Sequence, residues 1–421
     1  MLTSLLLAAW LAGPPAAASS GCQGPLTRGA VVACALAQHP TIRIAELERE
    51  AARGRRLGAR TLLPSNPAVE ITAGHRVGLW NGQRDFNVYG RLSQEIEVAG
   101  QRRKRMAVAD AEIELSERQI ELTRRDLAAS ALTAYYEQLA AQEQRAMVGR
   151  IAKTAEPLVE LARSSERAGL GSGLNTDVVV ASSMRIQRQQ IEAERRVATA
   201  SAVLAGLLGH DPIQAALEVQ GDLSPLPVSE DLVVAVETAL ARRSEIELAK
   251  AEREVYLRQA EMYRRARAPN PSIVLYAQRD GFAEQVLGGG LAFPIVLPSP
   301  LGRTFAGVIA ESNALARRAE AELERWRRQV RAEVAVGIHE FQARKTELTL
   351  FEGDRLQRAE QHLAALGPEM ASGRIAIREA VVLQQTFLEY LGAHVETRRA
   401  LALASVELAR VSGLLPEMVA P

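Results

Sequence analysis

The sequence predicts a mainly α-helical protein with a small β part, built as two tandem repeats of a β-hairpin followed by long helices. Three observations carry this. Two short stretches alternate apolar and polar residues around Gly/Asn turns, the pattern of a β-hairpin. Nearly all the rest is charged-apolar sequence with helical spacing. Landmarks also recur 204 residues apart over most of the chain, as a duplication would leave them.

The first hairpin is entered by Asn66-Pro67 and expected over about 67–78 and 86–99, with Gly78, Trp80 and Gly82 at its turn. The second is entered by Asn270-Pro271 and expected over about 271–279 and 285–297, with Arg279-Asp280-Gly281 at its turn. Strand parity places Leu287, Leu291, Phe293 and Ile295 on one side, and Gly288, Gly290 and Ala292 on the other. Trp80, Tyr89, Tyr276 and Phe282 are expected near strand ends, where the aromatic girdles of membrane barrels sit. Two-stranded hairpins are marginal alone. Four short strands cannot close a barrel within one chain and leave open edges, so a symmetric oligomer that pools them is expected.

Residues 28–62 read as helix. A long helix is expected over 101–168, about 100 Å at roughly 1.5 Å per residue. Met106, Ile113, Ile120 and Leu127 recur every seven residues, and so do Val108, Leu115, Leu122, Ala129 and Tyr136. Two apolar series offset by two positions suit a wall helix with neighbours on both flanks, unlike the single seam of a coiled-coil dimer. The offset returns as Val334/Val336, Phe341/Ala343 and Leu348/Leu350. Pro157 is expected to kink the first long helix. Gly169, Gly171, Ser172, Gly173 and Asn175 form its turn, and a shorter helix returns from Thr176 to about Leu208. In the second half a long helix is expected over 302–371, then a turn at Ser372-Gly373-Arg374 and a helix from Ile377 to Val411. The domain reading is a signal peptide at 1–18, a first repeat at 19–209, a linker at 210–229, a second repeat at 230–415 and a tail at 416–421.

With 51 Lys+Arg and 50 Asp+Glu in 421 residues, no bulk charge draws the chain to nucleic acid. Leu5 to Ala12 is an apolar run followed by Ala16-Ala17-Ala18, the pattern of a secretory signal, although no Lys or Arg precedes Leu5. That run is too short for a membrane-spanning helix. Cys22 and Cys34 admit a disulfide, lipidation of Cys22, or free thiols. The six histidines are dispersed, and no nucleophile elbow, P-loop or H-E-x-x-H occurs. No enzyme, cofactor or metal site is expected. A periplasmic adaptor or a coiled-coil scaffold of an export system is the alternative, but neither explains a duplicated hairpin-plus-helix unit.

The stretches Leu63-Pro64-Ser65-Asn66-Pro67, Leu92 to Arg102, Ala268-Pro269-Asn270-Pro271 and Phe293-Pro294-Ile295-Val296-Leu297-Pro298 resemble the TolC-like outer-membrane efflux factors. The first junction is similar in wording to the cobalt-zinc-cadmium branch. The resemblance covers roughly 28–415. It implies a homotrimer with a 12-stranded outer-membrane β-barrel continued by a periplasmic α-barrel. It also implies a periplasmic adaptor and an inner-membrane pump of the resistance-nodulation-division type as partners, heavy-metal cations as cargo, and outer-membrane lipid around the barrel. On this reading Asn66, Pro67, Gly100, Asn270, Pro271 and Pro294 are strand-entry and strand-helix junctions. Gly169, Gly171, Ser172, Gly173, Asn175, Asp177, Glu369, Gly373 and Arg374 lie at a periplasmic tip that gates the channel and meets the adaptor. Arg374 is either a gate residue or a helix cap.

Overall fold

The computed structural model describes residue 22 and residues 24–417, except 81, 170, 212–216, 280, 282–283, 298–300, 303 and 352. The expected signal segment, Asp280, Phe282 and Pro298 lie outside the described residues. The elements are α1 (Arg28–Gln38), α2 (Pro40–Ala59), β1 (Ala68–Val77), β2 (Arg84–Glu95), α3 (Gln101–Arg167), α4 (Gly173–Leu207), α5 (Leu232–Arg242), α6 (Ser244–Ala266), β3 (Ser272–Arg279), β4 (Gln285–Ala292), α7 (Ala306–Thr349), α8 (Arg355–Ala371) and α9 (Ile377–Val411). The expected repeat of hairpin and long helices is present. The chain forms two compact units. One comprises Arg43–Thr123 and Leu240–Ala332, the other Met1–Ile42, Arg124–Ala239 and Glu333–Pro421.

In the first of these units the two hairpins are not separate. β2 pairs antiparallel with β3, giving one sheet in the order β1-β2-β3-β4. The helices follow the same order. α3 is tied to α2 by Arg55–Glu112 at 2.6 Å and to α6 by Lys104–Glu261 at 2.5 Å. α6 is tied to α7 by Arg318–Glu252 at 2.9 Å. Such exposed pairs contribute at most about 1 kcal/mol each. They identify neighbours more than they stabilise them.

In the second unit the first heptad series of α3 runs on past Ile120 and Leu127 as Ala134, Ala141, Val148, Ala155 and Ala162, all buried. The second series ends at buried Tyr136 and is followed by Glu143, which accepts a hydrogen bond from Arg398 of α9 at 2.9 Å. Small residues along the first series let the neighbouring helices approach closely. Between Leu127 and Ala141, α3 is buried on most of its circumference, because the non-helical residues 217–228 and the N-terminal segment wrap it. Tyr135 and Tyr136 donate their hydroxyls to the carbonyls of Gln220 (3.0 Å) and Ser224 (2.8 Å). Leu26 bridges to Val219 in a short parallel pairing. Cys22 and Cys34 form a disulfide, with Cα atoms 5.9 Å apart, which ties that segment to α1. The Cys22 sulfur is thereby occupied, so the lipid alternative does not hold in this structure. A cross-link closing a loop of this size is worth about 3 kcal/mol.

Four expectations change. The helix expected over 28–62 is two, broken at His39 because a residue before proline is pushed out of the helical region. Arg243, its counterpart in the second repeat, breaks α5 from α6 with similar extended backbone angles. The helix expected over 302–371 is also two. α7 ends at Thr349, and Gly353 adopts φ 84° before α8 begins. By contrast Pro157 lies within a helix assigned without interruption from Gln101 to Arg167. The second strands end at Glu95 and Ala292, earlier than 99 and 297; after β4, Pro294 has no N–H to give to a ladder.

At the α7–α8 break Phe351 lies 5.3 Å from the ring of Tyr390 and 5.5 Å from that of His394, centroid to centroid. Burial, and then the Arg398 charge, hold the His394 imidazole below its ordinary range, while Glu360 opposes them. A depressed histidine pKa means that the unfolded chain binds the proton more readily. Stability from this site is therefore complete above the unfolded value of about 6.5 and declines as pH falls below it. Melting temperatures measured from pH 8 to pH 5 are expected to drop through that window. In His394→Gln that component of the drop is absent.

Candidate functional sites in the sheet and at the helix turns

The sheet has two chemically distinct faces. The pairings Val69↔Leu92, Ile71↔Gly90 and Ala73↔Val88 continue into Leu92↔Leu275 and Gly90↔Ala277, then Ala277↔Leu287 and Ile273↔Leu291. Alternation puts all these residues on one face, which is apolar and open: Ile71 is 74% and Leu287 83% exposed. Val69 and Val77 are eight residues apart, about 26 Å at 3.3 Å per residue, close to the apolar height of an outer-membrane barrel. The opposite face carries Glu70, Thr72, Asn87, Tyr89, Arg91, Tyr276 and Gln278. There Glu70 and Arg91 form a cross-strand ion pair at 3.9 Å. Tyr89 and Tyr276 therefore sit mid-strand on the polar face rather than in a girdle, because parity decides the face and neither is at a strand end. Trp80 is fully exposed in the first turn.

Gly288 lies opposite Tyr276, whose ring covers it. A Cβ at Gly288 would stand 2.4 Å from the Tyr276 hydroxyl oxygen and Cζ. A side chain at that position would have to displace the Tyr276 ring, while no backbone atom of the neighbouring strand stands in its way.

The junction residues play unequal parts. Asn270 is a clamp. Its amide donates to Glu95 Oε1 and its carbonyl accepts from Gln101 Nε2, both at 2.7 Å. The Pro271 carbonyl accepts from the Ile96 amide at 2.9 Å. The end of β2, the start of α3 and the entry to β3 are thus fastened together by one short side chain. Gly100 has φ 75°, a conformation that favours glycine, just before α3. Asn66 and Pro67 are exposed and precede the edge strand β1, and Pro294 follows the edge strand β4. The clamp around Asn270 went unseen in the sequence. Its only signal was the Asn-Pro pair itself.

The helix turns lie between α3 and α4 and between α8 and α9. Gly169 and Gly373 adopt φ 71° and 72°, and each ends its helix. The Gly171 amide bonds the Ser165 carbonyl at 3.1 Å, and Ser172 caps α4 through its backbone, accepting from the Thr176 amide. A Cβ on Gly173 would meet Glu166 Oε1 at 3.0 Å. Asn175 is half-buried and Asp177 exposed. Glu369 and Arg374 are brought together at 3.1 Å, and the Arg374 amide bonds the Glu369 carbonyl at 3.0 Å. Arg374 thus acts at a helix C-terminus, and its charge is matched by Glu369. Beneath the turns, α3, α4, α8 and α9 share a core that includes Leu158, Val179, Leu366 and Leu388.

An open groove of about 1230 Å³ lies between α3, α4 and α9. Its charged lining is four acids (Asp126, Glu137, Glu396, Glu407) and four arginines (Arg195, Arg196, Arg399, Arg410). The arginines are engaged. Arg399 bonds Glu137 and Glu396, and Arg410 bonds Glu407 at 2.6 Å. Balanced, paired charge gives the groove no preference for one sign of ion. No group of three or more His, Cys, Asp or Glu able to hold a metal occurs among the described residues. Among the described residues no helix is long and apolar enough to cross a membrane, which says nothing of a β-barrel.

Replacing Gly288 with alanine is expected to lower the melting temperature slightly, because the Tyr276 ring must leave its seat. Tyr276→Ala combined with Gly288→Ala should remove most of that penalty. A double-mutant cycle read by thermal melting checks the coupling.

Residues 31–210 match the family model "Outer membrane efflux protein". No curated protein matches the chain by sequence. Among solved structures, the chain is similar to the CmeC outer membrane channel of Campylobacter jejuni, at TM-score 0.73 and 15% identity over 92% of this chain and 85% of that one. It is similar to the outer membrane protein VceC of Vibrio cholerae, at 0.70 and 17% over 92% and 96%. It is also similar to the open-state MtrE outer membrane channel of Neisseria gonorrhoeae, at 0.71 and 16% over 92% and 88%. The chain has the fold of these outer-membrane channels, and its first half carries the sequence pattern of the outer membrane efflux protein family.

Proposed function

We propose that the chain is one protomer of a homotrimeric outer-membrane efflux channel. It passively conducts substrates that a pump and a periplasmic adaptor deliver. One observation carries this reading: a four-stranded sheet with an exposed apolar face, a polar face behind it, and two unpaired edges. Three copies would supply twelve strands, pair every edge, turn the apolar face to lipid and leave the polar face around an aqueous lumen. The helices support the same assembly. Val336 and its heptad successor Ala343 on α7 are exposed, as is Leu350 just past its end, and so are Met184 and Ile191 on α4. Heptad-spaced apolar residues left open in one copy are what neighbouring copies cover.

The turns around Gly169–Asn175 and Glu369–Arg374 are assigned to the periplasmic tip, where they gate the conduit and meet the adaptor. Separating Glu369 from Arg374 would free one charge of each sign at the mouth. The wording of the Leu92–Arg102 junction supports heavy-metal cations as cargo and a resistance-nodulation-division pump as the inner-membrane partner. Selection then belongs to the pump, consistent with a groove of balanced charge. The reading involves no enzymatic step.

Two measurements test this. Detergent-extracted protein should come from the outer-membrane fraction with the mass of three chains; a soluble monomer would overturn the channel. Gly169→Val forces a β-branched residue toward φ 71°. It should weaken adaptor capture by at least tenfold while the trimer persists. Unchanged capture and efflux would remove the tip assignment.

A further inference from the structure

We propose that α2 of one copy packs antiparallel against the sheet-proximal half of α7 in the next, through a close seam of small and aliphatic residues. The proposal rests on the trimeric-channel reading and names the helical surfaces that join two copies beside the sheet. α2 leads into the edge strand β1, and α7 follows the edge strand β4. Relative to the sheet the two helices therefore run in opposite directions.

Each helix has one face that its own chain covers and one that it leaves open. On α2, Ala45, Ala52 and Ala59 are buried. Ile44, Leu47, Ala51, Gly54 and Gly58, spaced by three and four residues, are all exposed. On α7, Ile309, Ser312, Ala316, Ala319 and Leu323 are buried. The series two positions earlier, Gly307, Ala310, Ala314 and Ala321, is exposed, with Arg317 its one polar member. Alternating steps of three and four make a seam that a partner helix fills. Aligned antiparallel, Gly58 falls opposite Ala310, Gly54 opposite Ala314 and Leu47 opposite Ala321. Arg317 falls opposite the small Ala51, which leaves room for its stem.

The glycines point to a neighbour from outside the chain. Glycine within a helix is less stable than alanine. Gly54, Gly58 and Gly307 have no positive φ, and a Cβ at any of them would meet nothing within 4 Å. Neither the backbone nor the packing of a single chain requires glycine there. Close approach of a second backbone does.

The charges beside the seam agree. On one side α2 carries Glu48 and Arg55, and α7 carries Glu311 and Arg318. Opposite directions bring Glu48 to Arg318 and Arg55 to Glu311. Glu48 and Glu311 have no ion-pair partner among the described residues, whereas Arg55 bonds Glu112 at 2.6 Å and Arg318 bonds Glu252 at 2.9 Å. On the other side the charges are matched within each chain: Arg43 with Glu50 at 3.5 Å, Glu320 with Arg253 at 3.7 Å and Arg327 with Glu324 at 2.5 Å. The occupant is therefore a second copy, held by complementary size and charge along a surface continuous with the open sheet edges.

The test compares native masses of detergent-extracted full-length protein at one fixed concentration. Gly54→Leu and Ala314→Leu should each lower the ratio of trimer to monomer at least about tenfold, because bulk in a close seam forces the helices apart. Helix content by circular dichroism should persist, since a Cβ at residue 54 meets nothing in its own chain. Arg53→Leu, exposed on α2 outside the series, should leave the trimer unchanged. Trimers unaffected by both bulky residues overturn the seam and spare the channel. An equal loss in Arg53→Leu also overturns it, since added bulk anywhere on α2 would then suffice. Wild-type protein without trimers overturns the channel reading and the seam together. If a bulky variant does not fold, Gly54→Cys combined with Ala314→Cys decides: mild oxidation should link neighbouring copies, and folded trimers without any inter-chain link overturn the seam.

Discussion

An exposed apolar sheet face with two unpaired edge strands is the constraint on which the rest of this structure depends. Water disfavours the face, and β1 and β4 each present a row of backbone donors and acceptors with no strand to take them. A helix packed over the sheet would solve the first problem and a longer sheet the second. This chain does neither. Its helices run in the same order as its strands, α2, α3, α6 and α7 beside β1, β2, β3 and β4, so each strand has its own helix. Closure by further copies satisfies the face and the edges together.

The helical unit solves a different problem. A long helix needs lateral support along its length, and α3 receives it from the alanine-rich series and from the wrap formed by residues 217–228. The wrap is held by two tyrosine hydroxyls and by the Leu26–Val219 bridge, and the Cys22–Cys34 disulfide secures the segment that makes that bridge. The linker between the repeats is therefore a structural belt as well as a connection. What remains uncovered is the outer heptad series of α7 and part of α4, in keeping with the open sheet edges.

Much of this was readable in the sequence, because the signals were periodic or conformational. The Asn-Pro pairs, the glycines at the helix turns and the 204-residue repeat marked the elements, and α9 runs from Ile377 to Val411 as expected. What escaped depended on contacts between distant residues. Nothing local shows that β2 pairs with β3, or that Asn270 reaches both Glu95 and Gln101. The α7–α8 break is instructive. Gly149 occupies the position of Gly353 in the first repeat, yet α3 runs through it unbroken. Glycine permits a break there without imposing one. The difference accompanies Phe351, seated against Tyr390 and His394, where the first repeat has Met147 buried along α3. Tyr89 and Tyr276 were misplaced for a similar reason, since their type suggested a girdle while their parity put them on the polar face.

The most direct test is a disulfide cross-link between β1 of one copy and β4 of the next. Both native cysteines are already paired with each other, so introduced thiols report cleanly. A cysteine at Ile71, combined in turn with cysteines at positions 287 to 291, should give at one or more positions a covalent trimer on a denaturing gel under mild oxidation. Absence of any inter-chain product across the whole scan, in protein that is folded and membrane-bound, would contradict closure of the sheet by three copies.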